Sequence, residues 1–159
     1  MVFQSLFESS QDGIAVENGG KIILANNSFA EIFGYKTGSE LCDKDILSLV
    51  SFDDTVKVSE YLQLIENKKN APGRFEFLGK RKDNSHFFTE VSVASYESEG
   101  KTFIVLITRD ITERKRAQQA IRQSEEKYRN ITENIDDFLY TFERTVLTLR
   151  PVFYTASVE

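Results

Sequence analysis

Thr102-Phe-Ile-Val-Leu-Ile-Thr-Arg-Asp-Ile-Thr-Glu-Arg-Lys115 is where this 159-residue chain changes character. In an extended segment, Phe103, Val105 and Ile107 fall on one face and Ile104 and Leu106 on the other. A strand apolar on both faces is expected to be central and covered on both. Directly after it, Asp110 or Thr112 can cap a helix by accepting from orphan backbone N–H groups. Asp110 to Asn134 contains no Gly and no Pro and is dense in Glu, Gln, Lys, Arg and Ala, so it reads as one long helix.

Upstream the chain is rich in turns, and all eight glycines lie between Gly13 and Gly100. Phe3, Leu6 and Phe7 have the spacing of a short amphipathic helix that ends in Ser9 to Gly13. Ile14 to Val16 and Ile22 to Leu24 flank Glu17-Asn-Gly-Gly20, a β-hairpin signal because Asn and Gly tolerate positive φ. Asn26 stands where a cap is wanted, ahead of Phe29, Ile32 and Phe33 on one helical face, and Gly34 ends that helix. Residues 35–50 read as short helical turns. Ser51 with Asp54 resembles a capping box, opening a helix over Asp53 to Glu66 with Val58, Leu62 and Ile65 inward and Tyr61 and Glu60 on a solvated face. Phe75 and Phe77 share a face of the next strand, and Phe87, Thr89, Val91 and Val93 alternate along the one after it. Turns at Asp83-Asn84 and Glu97 to Gly100 join these antiparallel strands. The order is an N-terminal helix, two strands, small helices, three strands and a long C-terminal helix, an α+β arrangement.

Composition removes several function classes. Twenty Lys and Arg against 25 Asp and Glu give a net charge of −5, which offers no general attraction to nucleic acid. The longest apolar run, Phe103 to Ile107, is far short of the roughly 20 residues that span a bilayer, so no membrane contact and a cytoplasmic location are expected. One cysteine excludes an internal disulfide framework, and one histidine beside it leaves no zinc site of the His/Cys type. No nucleophile, base and orienting group can be assembled, and adjacent carboxylates such as Asp53-Asp54 and Glu125-Glu126 point in different directions on a helix. The chain is not expected to be an enzyme.

Five stretches carry a family resemblance: Leu6-Phe-Glu-Ser-Ser-Gln-Asp-Gly-Ile14, Ala25-Asn-Asn-Ser-Phe-Ala-Glu-Ile-Phe-Gly-Tyr35, Phe52-Asp-Asp54, Arg81-Lys-Asp-Asn-Ser-His86 and Asp110-Ile-Thr-Glu-Arg-Lys115. In this order and spacing they resemble the PAS sensory domain with its C-terminal PAC segment, which implies an α+β fold: a five-stranded antiparallel sheet with small helices on one face, flanked by an N-terminal helix and a long C-terminal linker helix. Two departures are mild: the family often has Pro where Asn27 stands and Gly where Asn84 stands, and Asn also adopts the left-handed turn conformation. Ser124-Glu-Glu-Lys-Tyr-Arg-Asn-Ile131 with Asn134-Ile-Asp-Asp-Phe-Leu-Tyr140 is similar to the entry into a second such domain. On this reading residues 1–112 are the PAS domain with its PAC segment, 113–134 a helical coiled-coil linker, and 135–159 the truncated start of another PAS domain, its first two strands at 137–143 and 146–156. The resemblance implies a regulatory part of a bacterial signalling protein, with a downstream output domain in the same parent chain. A sensor histidine kinase of a two-component system is the expected output, and a diguanylate cyclase the alternative.

The resemblance also frames the cofactor question. Flavin-binding members place a reactive Cys in an Asn-Cys-Arg-Phe-Leu pattern, whereas Cys42 lies in Glu40-Leu-Cys-Asp-Lys44 and reads as a bystander. Haem-binding relatives place a His on the long helix before the last three strands; that helix has none here, and His86 falls at a hairpin edge. No haem or covalent flavin is expected, and the protein should be colourless. The family's ligand position between sheet and helices implies a lining of Phe29, Phe33, Val58, Leu62, Phe75, Phe77, Val91 and Val93, which would equally form a closed core. That leaves a small-ligand sensor and a ligand-free dimerisation scaffold both open.

Signal transmission is assigned to Asp110, Ile111 and Thr112 at the helix base and to Ala117, Ile121 and Tyr128 along it. Ala117, Ile121, Ser124, Tyr128, Ile131 and Ile135 recur at heptad a/d steps, the pattern of a two-stranded coiled coil and hence of a homodimer. The 24 residues from Ile111 to Asn134 would make about 36 Å of helix.

Overall fold

The computed structural model describes residues 2–68 and 71–156, with side chains through residue 134. Helix α1 (Val2–Ser9) is followed by strands β1 (Gly13–Asn18) and β2 (Lys21–Ala25) and helix α2 (Asn27–Ile32). Three 3-10 turns, Gly38–Leu41, Ile46–Leu49 and Phe52–Asp54, lead into α3 (Thr55–Glu66). Then come β3 (Arg74–Lys80), β4 (His86–Ser98), β5 (Lys101–Asp110) and α4 (Thr112–Ala156). All strand pairings are antiparallel, in the order β2-β1-β5-β4-β3, which places β5 at the centre. Contacts divide the chain into two compact units, residues 1–115 and 116–159.

Local chemistry explains the hairpins. Asn18 pairs with Lys21, so Gly19 and Gly20 form a two-residue turn with φ of 60° and 82°, the positive values that match the twist of the flanking strands. At the β3–β4 turn Asn84 takes φ of 65°, and the Asp83 carboxylate accepts from Ser85 N–H. Asn26 caps α2, its side chain accepting from Phe29 N–H at 2.9 Å.

The core lies on the helix-covered face of the sheet. Ile104 and Leu106 of β5 share a core cluster with Phe29 of α2 and Phe33 at its C-cap, Leu41 and Leu49 of the 3-10 turns, and Val58 and Leu62 of α3. Phe29, Phe33 and Phe87 form a chain of ring contacts at 4.9 and 5.3 Å between centroids. Burying each such side chain contributes roughly 1.5–3 kcal/mol.

Four expectations are corrected. The second face of β5 is only partly covered: Phe103 and Val105 are half-buried and Ile107 is 40% exposed, because α2, α3 and the 3-10 turns pack on the other side of this antiparallel sheet. The capping box does not form, since the Asp54 carboxylate accepts from Leu78 N–H on β3 at 2.6 Å and the Ser51 hydroxyl is buried without a partner. Tyr61 faces inward at 4% exposure, stacked on Phe75 at 4.3 Å. Finally, the backbone stays helical to Ala156, where strands were expected at 137–143 and 146–156. A two-stranded pair leaves its outer backbone groups unpaired, whereas a helix pairs all but those at its ends. The side chains of 135–159, on which the reading of a second PAS start depends, lie outside the described residues.

Candidate functional site

Alternation along β3 and β4 turns Phe75, Phe77, Val91 and Val93 toward the helices, and helical spacing turns Phe29, Phe33, Val58 and Leu62 toward the sheet. All eight line one pocket of about 30 Å³ between the helices and the sheet. That volume holds a water molecule or two, against the roughly 300–1,000 Å³ of pockets that take metabolites. Ile46, Leu49 and Val50 from the 3-10 region, Tyr61, Leu106 and Thr108 complete the lining, and none of these was assigned to it from sequence. Tyr61 was findable, because 58, 61, 62 and 65 form one i, i+3, i+4, i+7 stripe. The 3-10 residues were not, because a single short turn has no period to read. No charged side chain lines the space among the described residues.

Tyr61 closes one side of this space. Its hydroxyl donates to Pro72 C=O and its ring lies against Phe75, and the Lys57 ammonium sits over that same Phe75 ring, 4.8 Å from its centroid. Burial pushes the Tyr61 hydroxyl pKa up, so it remains a neutral donor. Cys42 and His86 are exposed and neither reaches the cavity.

Three of the six transmission candidates converge where β5 becomes α4. Asp110 accepts from the Arg81 guanidinium at 2.7 Å and from Thr112 N–H at 2.9 Å, so one carboxylate joins the β3–β4 turn to the helix start. Arg81 also lies over the Phe87 ring at 4.0 Å, which ties that ion pair to the core. Ile111 is buried and donates its N–H to Phe88 C=O at 2.9 Å, and Phe88 N–H donates to the Thr112 hydroxyl at 3.1 Å. Ala117, Ile121 and Tyr128 are exposed, as is every described residue from 116 to 134.

Glu17, on the inner face of β1, is the other buried charge-bearing group of this layer. Its Oε2 accepts from Gly20 N–H at 2.7 Å. Burial pushes its pKa up, the Gly20 hydrogen bond opposes that, and Glu66 and Asp45 add to the rise. A raised carboxyl pKa destabilises the fold only where ionisation is forced. The cost is absent below the unfolded-chain value of about 4.3, grows through the folded-state value, and is complete above it. Glu17→Gln keeps an acceptor for Gly20, so it should raise the urea midpoint at neutral pH and leave it unchanged near about pH 3.5. A shift of equal size at both pH values would remove ionisation as the cause.

Residues 11–113 match the family model described as PAS domain. Among curated proteins, Sporulation kinase A of Bacillus subtilis is 28% identical over 123 residues, covering 77% of this chain. The chain spans 20% of that relative's length. The solved PAS domain of an HTR-like protein from Haloarcula marismortui is 30% identical with a TM-score of 0.56, covering 69% of this chain and 89% of that one. A sensory box histidine kinase/response regulator from Burkholderia thailandensis shares the fold at 22% identity, with a TM-score of 0.60 and coverage of 82% and 99%.

Proposed function

The chain belongs to the PAS domain family, and from that premise we propose that it is the regulatory sensory module of a bacterial signalling protein, passing a state of its core through a dimeric linker helix to a histidine kinase output. The observation that carries this reading is the junction: β5, the central strand, ends at Asp110 and α4 begins at Thr112, with only the buried Ile111 between. A shift in the sheet therefore reaches the helix base without a flexible loop to absorb it. Relatedness to a sporulation kinase supports the kinase output. The seam supports the dimer, since Ile121 and Tyr128 are 60% and 69% exposed, apolar, and spaced for a partner helix. With Ala and Ser at other seam positions the coil is weak, as a switch with two arrangements a few kcal/mol apart requires.

The size of the cavity favours a second reading, a ligand-free module that dimerises and transmits. A ligand that enters the closed core as it stands is apolar and of a few heavy atoms. Among the described residues no helix is long and apolar enough to cross a membrane.

The test is a fusion of the chain, in register, to a histidine kinase output domain. Deleting one residue between Ala117 and Tyr128 turns all that follows by ~100° and should lock or invert autophosphorylation, whereas deleting seven restores the heptad phase and should largely spare it. Output indifferent to the single deletion would reduce the helix to a spacer.

A further inference from the structure

Glu76 and Glu90 are paired directly across β3 and β4. Their neighbours Phe75, Phe77 and Val91 line the cavity, so alternation places both carboxylates on the opposite face of the sheet. Like charges placed opposite one another destabilise a strand pair, and one of these two is poorly solvated, the Glu90 side chain being 9% exposed against 43% for Glu76. Two cations from the first turn of α4 relieve the repulsion. The Arg114 guanidinium bridges Glu76 at 3.1 Å and Glu90 at 3.2 Å, and Lys115 reaches the second Glu76 oxygen at 2.5 Å. The Lys115 hydrogen bond is the main reason the Glu76 pKa lies below the usual carboxylate range.

The helix has the reciprocal problem. Its opening turns carry Arg114, Lys115 and Arg116 against a single acid, Glu113, the wrong sign for the positive end of a helix dipole. Each half of the contact is unfavourable alone and neutralised by the other. The charge ladder also continues across the sheet: Arg109 of β5 is paired opposite Glu90, and Asp12, directly before β1, holds it at 2.7 and 2.8 Å. The Asp12–Arg109–Glu90–Arg114–Glu76–Lys115 series thus links the entrance of the first strand to the start of α4.

We propose that Glu76 and Glu90 form an electrostatic latch whose engagement by Arg114 and Lys115 decides whether α4 is helical from its first turn. The proposal rests on the reading of α4 as the output element for its purpose, but the latch is tested on the chain itself, independently of any kinase. Amide hydrogen exchange of Lys115 to Gln119 is the readout, because Lys115 N–H already bonds Ile111 C=O and the next amides complete the turn. In the full chain carrying Glu76→Gln and Glu90→Gln, these amides should exchange roughly fivefold faster while those of β5 keep their protection. Arg114→Gln with Lys115→Gln attacks the same contact from the helix side and should give the same rise without touching the sheet. About 1 M salt should move the wild type in the same direction, since Arg114 is 47% exposed and open to screening. Unchanged exchange at 115–119 in the helix-side variant overturns the latch. So does a rise that spreads equally through β5, because the effect would then be global unfolding. A kinase fusion insensitive to helix phase would sink the functional reading and leave the exchange result standing.

Discussion

Asn26→Ala is expected to lower the unfolding free energy by ~3–5 kcal/mol, a large share of the roughly 5–15 kcal/mol that holds a domain of this size together. The side chain is fully buried and uses its whole hydrogen-bonding capacity. Its Oδ1 accepts from Ile14 N–H and Phe29 N–H, both at 2.9 Å, and its Nδ2 donates to Phe7 C=O at 2.9 Å and Asp12 C=O at 3.1 Å. One amide therefore joins the end of α1, the approach to β1 and the start of α2. Alanine leaves two donors and two acceptors without it, each costing about 1–3 kcal/mol if water cannot follow, and removes a cap worth ~1 kcal/mol. Asn26→Asp keeps the shape yet should be at least as damaging at neutral pH. Aspartate satisfies the two N–H groups but turns a buried charge toward the Phe7 and Asp12 carbonyls, which then face an acceptor. Urea unfolding of both variants measures this. An alanine variant within about 1 kcal/mol of wild type would mean that these four bonds are replaced by solvent and the network has no net worth.

The same residue shows where sequence reading succeeds and where it stops. A cap at Asn26 is legible because the helical stripe of Phe29, Ile32 and Phe33 starts just after it. Its bonds to Phe7, Asp12 and Ile14 are not, because they depend on three segments meeting in space. The inward faces that carry the eight lining residues were legible for the first reason, since periods of 2 and 3.6 define such faces without tertiary knowledge, whereas their grouping around one space came only from the family resemblance. The Ser51–Asp54 box failed for the second: the acid had a more distant partner, Leu78 N–H, 24 residues along the chain. Strand register is likewise invisible to periodicity, so nothing in the residues themselves marks Glu76 and Glu90 as opposite one another. The outer face of β5 misled because Phe103, Val105 and Ile107 have the composition of a buried layer, whereas α2, α3 and the 3-10 turns pack on the opposite face. Past residue 136, apolar runs compatible with strands are helix in the structure, where each backbone N–H finds its i−4 carbonyl within the segment.

Gly38→Ala should be the most damaging single methyl that can be added to this chain. A Cβ at Gly38 would lie 1.8 Å from Ala25 O, 2.6 Å from Ala25 C and 3.3 Å from Asn26 C. These are backbone atoms, so no side chain can swing aside. Gly38 opens the 3-10 turn that delivers the fully buried Leu41 to the core, and its N–H donates to Asn27 Oδ1 at 3.3 Å, which limits retreat in the other direction. Relief must come from pushing Ala25 and Asn26 back, and that movement breaks the four bonds of the Asn26 amide. The expected loss is ~3–5 kcal/mol, above the ordinary overpacking range because a hydrogen-bonded junction has to yield along with the packing. Gly73→Ala is the matched control, since a Cβ there meets nothing within 4 Å; it should be neutral or stabilise by about 0.4–1 kcal/mol through the unfolded chain. The mechanism also requires non-additivity. Once Asn26 is alanine, displacing it costs less, so Gly38→Ala in that background should lose at least about 1 kcal/mol less than in wild type. Because the double variant is marginal, the cycle is best run with a stabilising osmolyte present throughout. Full additivity would show that the methyl group is accommodated elsewhere, and a Gly38→Ala chain as stable as the Gly73→Ala control would mean that the close approach of residue 38 to β2 is not a constraint on the fold.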